Sequence, residues 1–169
     1  DVYTYDENNI ATDTLSYKSN EIIKSYGGLE PRFAATYSLN NKSSFKVAYS
    51  RSRQNLHLLS NSTSSTPMDA WIPSSSIVKS GISDQYSLGY FRNFLDNNIE
   101  TSVEVYYKDM QNQIDYENGT NLFFNPNIES QIVFGKGRSY GAEFLIKRNS
   151  GRLTGWLSYT YSKTEKKFD

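Results

Sequence analysis

Between Asp84 and Met110 apolar residues fall on alternate positions twice. Tyr86, Leu88, Tyr90 and Phe94 do so first, interrupted by Arg92, and Ile99, Val103, Val105 and Tyr107 follow around Thr101. Period two predicts two β-strands, each with one apolar face. For antiparallel neighbours to share that face, an even-numbered residue must stand opposite an odd-numbered one. Leu95 opposite Asn98 satisfies this and leaves Asp96-Asn97 as a two-residue turn, of residue types that tolerate positive φ. The pairs that follow are Phe94 with Ile99, Tyr90 with Val103, Leu88 with Val105 and Tyr86 with Tyr107. The opposite face carries Gln85, Ser87, Gly89, Asn93, Glu100, Ser102, Glu104 and Lys108, with Phe91 and Tyr106 as aromatic exceptions. It is wet, or it lines a polar interior.

The pattern recurs on either side. Phe33, Ala35, Tyr37 and Leu39 share one face, as do Phe45, Val47 and Tyr49. Both sets are odd, which demands an odd loop, and Asn41-Lys42-Ser43 fits. Later, Tyr140, Ala142, Phe144 and Ile146 face Leu153, Leu157, Tyr159 and Tyr161, where an even loop at Ser150-Gly151 fits. Residues 1 to 27 mix strand-like pieces (Val2 to Tyr5, Leu15 to Tyr17) with polar residues and read as a loop with ragged strand ends. Residues 55 to 83 and about 110 to 136 read as long loops, the second with an internal turn at Asn118-Gly119. Three hairpins over 28 to 165 therefore place every tight turn at one end and both long loops at the other. That layout belongs to an outer-membrane β-barrel. Tyr86, Tyr107, Tyr140 and Tyr161 close the apolar faces at the long-loop end, where amphipathic rings form an interfacial girdle.

Composition narrows the function classes. Formal net charge is zero, from 18 basic and 18 acidic residues, so no basic footprint for nucleic acid exists. Cysteine is absent, which excludes disulfides and thiolate metal sites. No apolar run approaches the roughly 18 residues of a spanning helix, whereas a barrel strand needs only about 9 to 11 alternating residues. The expected fold is all-β, an antiparallel up-and-down transmembrane barrel or part of one, with about six to eight strands in this chain. The alternatives are a soluble or surface-exposed β-rich binding or adhesion domain and a small eight-stranded barrel.

The segments GLEPRFAATYSL, YSRSRQNLHLLSNS, PMDAWIPSS, SDQYSLGYFRNF, SVEVYYKDMQNQIDY, GRSYGAEFLIKR and GRLTGWLSYTYSKT resemble the barrel region of TonB-dependent outer-membrane receptors, in particular those of Bacteroidetes. The resemblance covers residues 28 to 165. It implies a 22-stranded barrel in the bacterial outer membrane, plugged by an N-terminal domain and importing a scarce ligand (an iron chelate, cobalamin or a glycan) on energy delivered by TonB. The implied partners are outer-membrane lipid, a small ligand, and TonB through a plug domain not visible in this chain. Residues 1 to 169 are accordingly expected to be a piece of a larger barrel.

Within that frame Tyr86, Leu88, Tyr90, Val103, Val105, Tyr107, Phe144 and Leu157 are expected to face lipid, and Glu104 and Glu143 the lumen. His57, Asp69 and Trp71 are candidate ligand contacts in the first long loop, Trp71 because its ring can stack on a sugar or an aromatic. His57, beside Leu56, Leu58 and Leu59, suits a packing role far better than a functional one, by roughly ten to one. It is the sole histidine, and no G-x-S-x-G nucleophile elbow accompanies it. Gly135 to Gly141 has the spacing of neither a phosphate-binding loop nor a dinucleotide fingerprint. Neither an enzyme nor a cofactor or metal is expected.

Overall fold

In the computed structural model of the chain the described residues are 2–5, 11–16, 18, 22, 24–59, 70–116 and 132–168. None of them is helical. Ten strands form among the described residues: β1 (Val2–Tyr5), β2 (Ala11–Leu15), β3 (Arg32–Asn40), β4 (Ser43–Gln54), β5 (Leu56–Leu59), β6 (Ala70–Pro73), β7 (Gly81–Phe94), β8 (Ile99–Tyr116), β9 (Ile132–Arg148) and β10 (Gly155–Phe168). Six make one open antiparallel sheet in the order β10-β9-β8-β7-β4-β3. These are the six strands that the alternation predicts. β1 is the first strand-like piece expected near the start, whereas of the second, Leu15 to Tyr17, only Leu15 is in a described strand, at the end of β2; among the described residues β1 and β2 form a two-stranded sheet separate from the six-stranded one.

The central hairpin has the derived register, with Tyr86 opposite Tyr107, Leu88 opposite Val105, Tyr90 opposite Val103 and Phe94 opposite Ile99. Asp96 and Asn97 take φ of 52° and 68°, as the turn requires, and Leu95 is drawn into the same region at 50°.

The flanking hairpins keep their parity but not their loops. Between β3 and β4 the turn is Asn41-Lys42, with Asn40 opposite Ser43, and a bulge between Ser38 and Asn40 takes up the odd residue. Between β9 and β10 the loop spans 149 to 154, because Gly155 stands opposite Arg148. Leu153 is therefore in the loop and not on the strand face. The loop is drawn sideways: Asn98 Oδ1 accepts from Ser150 N at 2.8 Å and from Ser150 Oγ at 2.6 Å, and Asn149 N donates to Asn98 O at 2.9 Å. The two tight turns and the six-residue loop lie at one end of the sheet and are joined there, also by Lys42 to Asp96 at 3.2 Å and Asn93 N to Lys42 O at 2.8 Å.

Rows of the sheet follow from the registers. On one face the rows read Phe33-Tyr49-Tyr86-Tyr107-Tyr140-Lys163, then Ala35-Val47-Leu88-Val105-Ala142-Tyr161, then Tyr37-Phe45-Tyr90-Val103-Phe144-Tyr159. Tyr161 thus lies beside Ala142, one row away from the expected girdle, and Tyr49 is in the girdle at the other side. The six-residue loop is the cause, since a two-residue loop would have set Tyr161 against Tyr140. This apolar face is uncovered, with Leu88 47% and Leu157 72% exposed.

The other face reads Thr36-Lys46-Gly89-Glu104-Glu143-Thr160 and Ala34-Ala48-Ser87-Tyr106-Gly141-Ser162 in adjacent rows. Small residues there make room for rings. A Cβ at Gly141 would stand 2.8 Å from Tyr106 Cε1 and 2.5 Å from Tyr161 O, so glycine lets the Tyr106 ring lie against the wall.

Candidate functional site

Past the tyrosine row the strands continue toward the long loops. β8 and β9 are 18 and 17 residues long, well beyond the about 9 to 11 that cross a bilayer. Both long connections are shorter than the alternation suggests, because β7, β8 and β9 extend into them. β8 carries a bulge between Met110 and Gln113, with Asn112 at φ 53°.

The first long connection also contains a hairpin, β5 with β6, that its irregular pattern conceals. His57 stands opposite Ile72 and Leu58 opposite Trp71. The face of Ile72 meets Val78, Ile132 and Ile114, a small apolar cluster at the loop end. Polar groups bind it together. Ser80 Oγ donates to Asn55 Oδ1 at 2.6 Å, Asn112 Nδ2 donates to Ser80 O at 2.8 Å, and Tyr26 OH donates to Ser75 O at 2.5 Å. Ser75 Oγ accepts from Val78 N at 3.1 Å, and Ser74 N donates to Asn55 O at 2.8 Å.

His57, opposite Ile72 on the hairpin, is 5% exposed, with Nε2 3.2 Å from Ser74 Oγ. Burial pushes its pKa below the ordinary value, so the neutral ring is favoured. Its place is that of a packed loop histidine and not of a surface contact. Trp71 is on the opposite side of the hairpin, 62% exposed, in a surface with Leu56, Leu58 and Pro73. Asp69 lies outside the described residues, as does the Asn118-Gly119 turn.

Glu104 and Glu143, which the sequence puts on separate hairpins, are direct cross-strand partners on the polar face. No group of three or more His, Asp or Glu side chains that could hold a metal occurs among the described residues.

One further row escapes the apolar pattern. Arg51, Asp84, Asp109, Arg138 and Glu165 are consecutive neighbours across five strands, one alternate step beyond the tyrosines. Arg51 holds Asp84 by two hydrogen bonds, 2.7 and 2.9 Å, and Tyr49 OH donates to the same carboxylate at 2.6 Å. Arg138 donates to Glu165 at 2.6 Å. The signal was present in the sequence, since each strand places a charge two residues from an aromatic or basic member of the girdle row.

The family model described as "TonB dependent receptor-like, beta-barrel" matches residues 1–169. The chain belongs to that family. A solved structure described as the FpvAI-pyocin S2 complex contains a similar chain, 18% identical with a TM-score of 0.57, over 84% of this chain and 18% of that one. At that identity the likeness concerns the fold, a partial TonB-dependent receptor barrel, and this chain spans under a fifth of the matched chain. No curated protein matches. TonB-dependent receptor barrels are proteins of the Gram-negative outer membrane, and the open six-stranded sheet accords with a portion of such a wall.

Proposed function

We propose that this chain forms part of the wall of an outer-membrane receptor that takes up a scarce ligand, coupled to TonB through a plug domain outside these residues. The observation that carries the reading is the uncovered apolar face. From Tyr86 to Phe94 it matches the about 9 to 11 residues of a tilted crossing strand, and a tyrosine row closes it at the long-loop end. A soluble β-sandwich buries such a face under a second sheet.

Tyr86, Leu88, Tyr90, Val103, Val105, Tyr107, Phe144 and Leu157 then contact lipid. Glu104 and Glu143 keep the lumen polar. The long-loop end faces the cell exterior, and Trp71 with Leu58 offers a flat apolar surface to the ring or sugar face of a cargo, be it an iron chelate, cobalamin or a glycan. No chemistry is catalysed, and the Bacteroidetes type rests on the resemblance of the segments alone.

Protease or epitope-tag accessibility on intact cells tests the orientation. Tags beside Trp71 are expected to be reached, and tags at Lys42 or at Asp96 to be protected; the reverse pattern would overturn it. Trp71→Ala is expected to weaken ligand capture about tenfold, the order of a lost stacking ring, without loss of the folded barrel.

A further inference from the structure

On the polar face the two aromatic exceptions, Phe91 and Tyr106, each lie against a glycine. A Cβ at Gly89 would stand 2.8 Å from Phe91 Cε2 and 3.0 Å from Glu104 Cγ, as one at Gly141 would meet Tyr106, so both rings rest on the wall and turn their free side to the lumen. Glu104 stands between them. It is the direct neighbour of Gly89 on one side and of Glu143 on the other, and Tyr106 with Gly141 forms the next step along the same two strands, toward the long loops. Like charges directly opposite one another cost stability. Among the described residues neither carboxylate has a hydrogen-bond or ion-pair partner. Lys46, beyond Gly89 in the same row, and Lys108, two residues past Tyr106, balance their charge from a distance.

We infer that this is a subsite for a neutral sugar unit of the cargo. A pyranose has an apolar face of C–H groups and a rim of hydroxyl donors, and the wall matches both. The Tyr106 and Phe91 rings take the apolar faces, and the Glu104 and Glu143 carboxylates accept from neighbouring hydroxyls. Ser87 opposite Tyr106, Ser162 opposite Gly141 and Thr160 opposite Glu143 add uncharged partners. Charge decides against an ionic cargo. Two ammonium groups offset the two carboxylates across adjoining rows, so a charged chelate gains no net attraction, whereas a hydroxyl donor bonds a carboxylate without any. The subsite is on the wall, apart from Trp71 at the loop end, and the inference rests on the receptor reading above.

The test is titration calorimetry on the full-length receptor in detergent, with a panel of neutral linear oligosaccharides of gluco, manno, galacto and xylo configuration. Ferric citrate, spermidine and cyanocobalamin are the comparisons. At least one oligosaccharide is expected to bind more tightly than these three. Its affinity is expected to fall about tenfold in Tyr106→Ala and in Glu104→Gln/Glu143→Gln, and to return to within about twofold of the wild type in Tyr106→Phe. Thr36→Ala, in the same row but three strands from Glu104, should leave it unchanged. Heat-resistant gel mobility reports folding, and the double glutamine variant serves where Tyr106→Ala does not fold. Silence of the whole panel, sugar binding indifferent to these variants, or tighter binding of any of the three comparisons would overturn the sugar subsite and leave the receptor reading intact. Failure of the receptor to insert into membranes would defeat that reading itself.

Discussion

A single hydrogen atom decides what stands at Gly141. Because a Cβ there would collide with Tyr106 and with the Tyr161 carbonyl, Gly141→Ala is expected to destabilise the folded barrel by about 1 to 3 kcal/mol, read from denaturant unfolding in detergent. On the other face, Leu88→Arg is expected to cost about 2 to 4 kcal/mol, and Ser87→Arg much less. Equal losses would refute the assignment of faces. His57 gives a pH dependence whose sign follows from its lowered pKa. Folded and unfolded rings are both neutral well above 6.5, so no penalty arises there; as pH falls below 6.5 the unfolded ring takes up a proton first, and the loop cluster loses stability. Proteolysis of the β5–β6 hairpin should accelerate between pH 7.5 and pH 5.5 in the wild type and not in His57→Gln. The positive φ at Asp96 and Asn97 was legible from residue type alone. The burial of His57 was not, because Ile72 and Ser74, its partners, are brought beside it only by the folding of the connection into a hairpin.

Alternation and parity fix which face a strand shows its neighbour, and for the central hairpin the residue types of the turn also fix the register. In the third hairpin parity asks only for an even loop. The choice between two residues and six is made by Asn98, a residue some fifty positions away that captures Ser150. Local pattern carries no trace of that bond. Because the sequence has no cysteine, the register is directly testable: Ala142→Cys with Tyr161→Cys should form a disulfide under mild oxidation, whereas Tyr140→Cys with Tyr161→Cys should not. The β5–β6 hairpin was illegible for a related reason. Its strands are four residues each and owe their position to the cluster beneath them, not to a period of their own.

For the whole molecule, the open sheet sets the behaviour of the isolated segment. β3 and β10 are edges, and an unpaired edge cannot rest in hydrocarbon, where each unsatisfied backbone group costs several kcal/mol. Residues 1 to 169 expressed alone and refolded in detergent should aggregate or pair between copies, seen by light scattering. A monodisperse, heat-resistant monomer would contradict this. The fold class was readable from the segregation of turns, and the charged row was readable in principle, since each of its members is two residues from the girdle row. The turns joined through Lys42, Asp96, Asn98 and Ser150 give the wall the mechanics of a cantilever. Its root is fixed by bonds that run from one hairpin to the next, Lys42 to Asp96 and Asn98 to Ser150, in addition to the ladders between the strands.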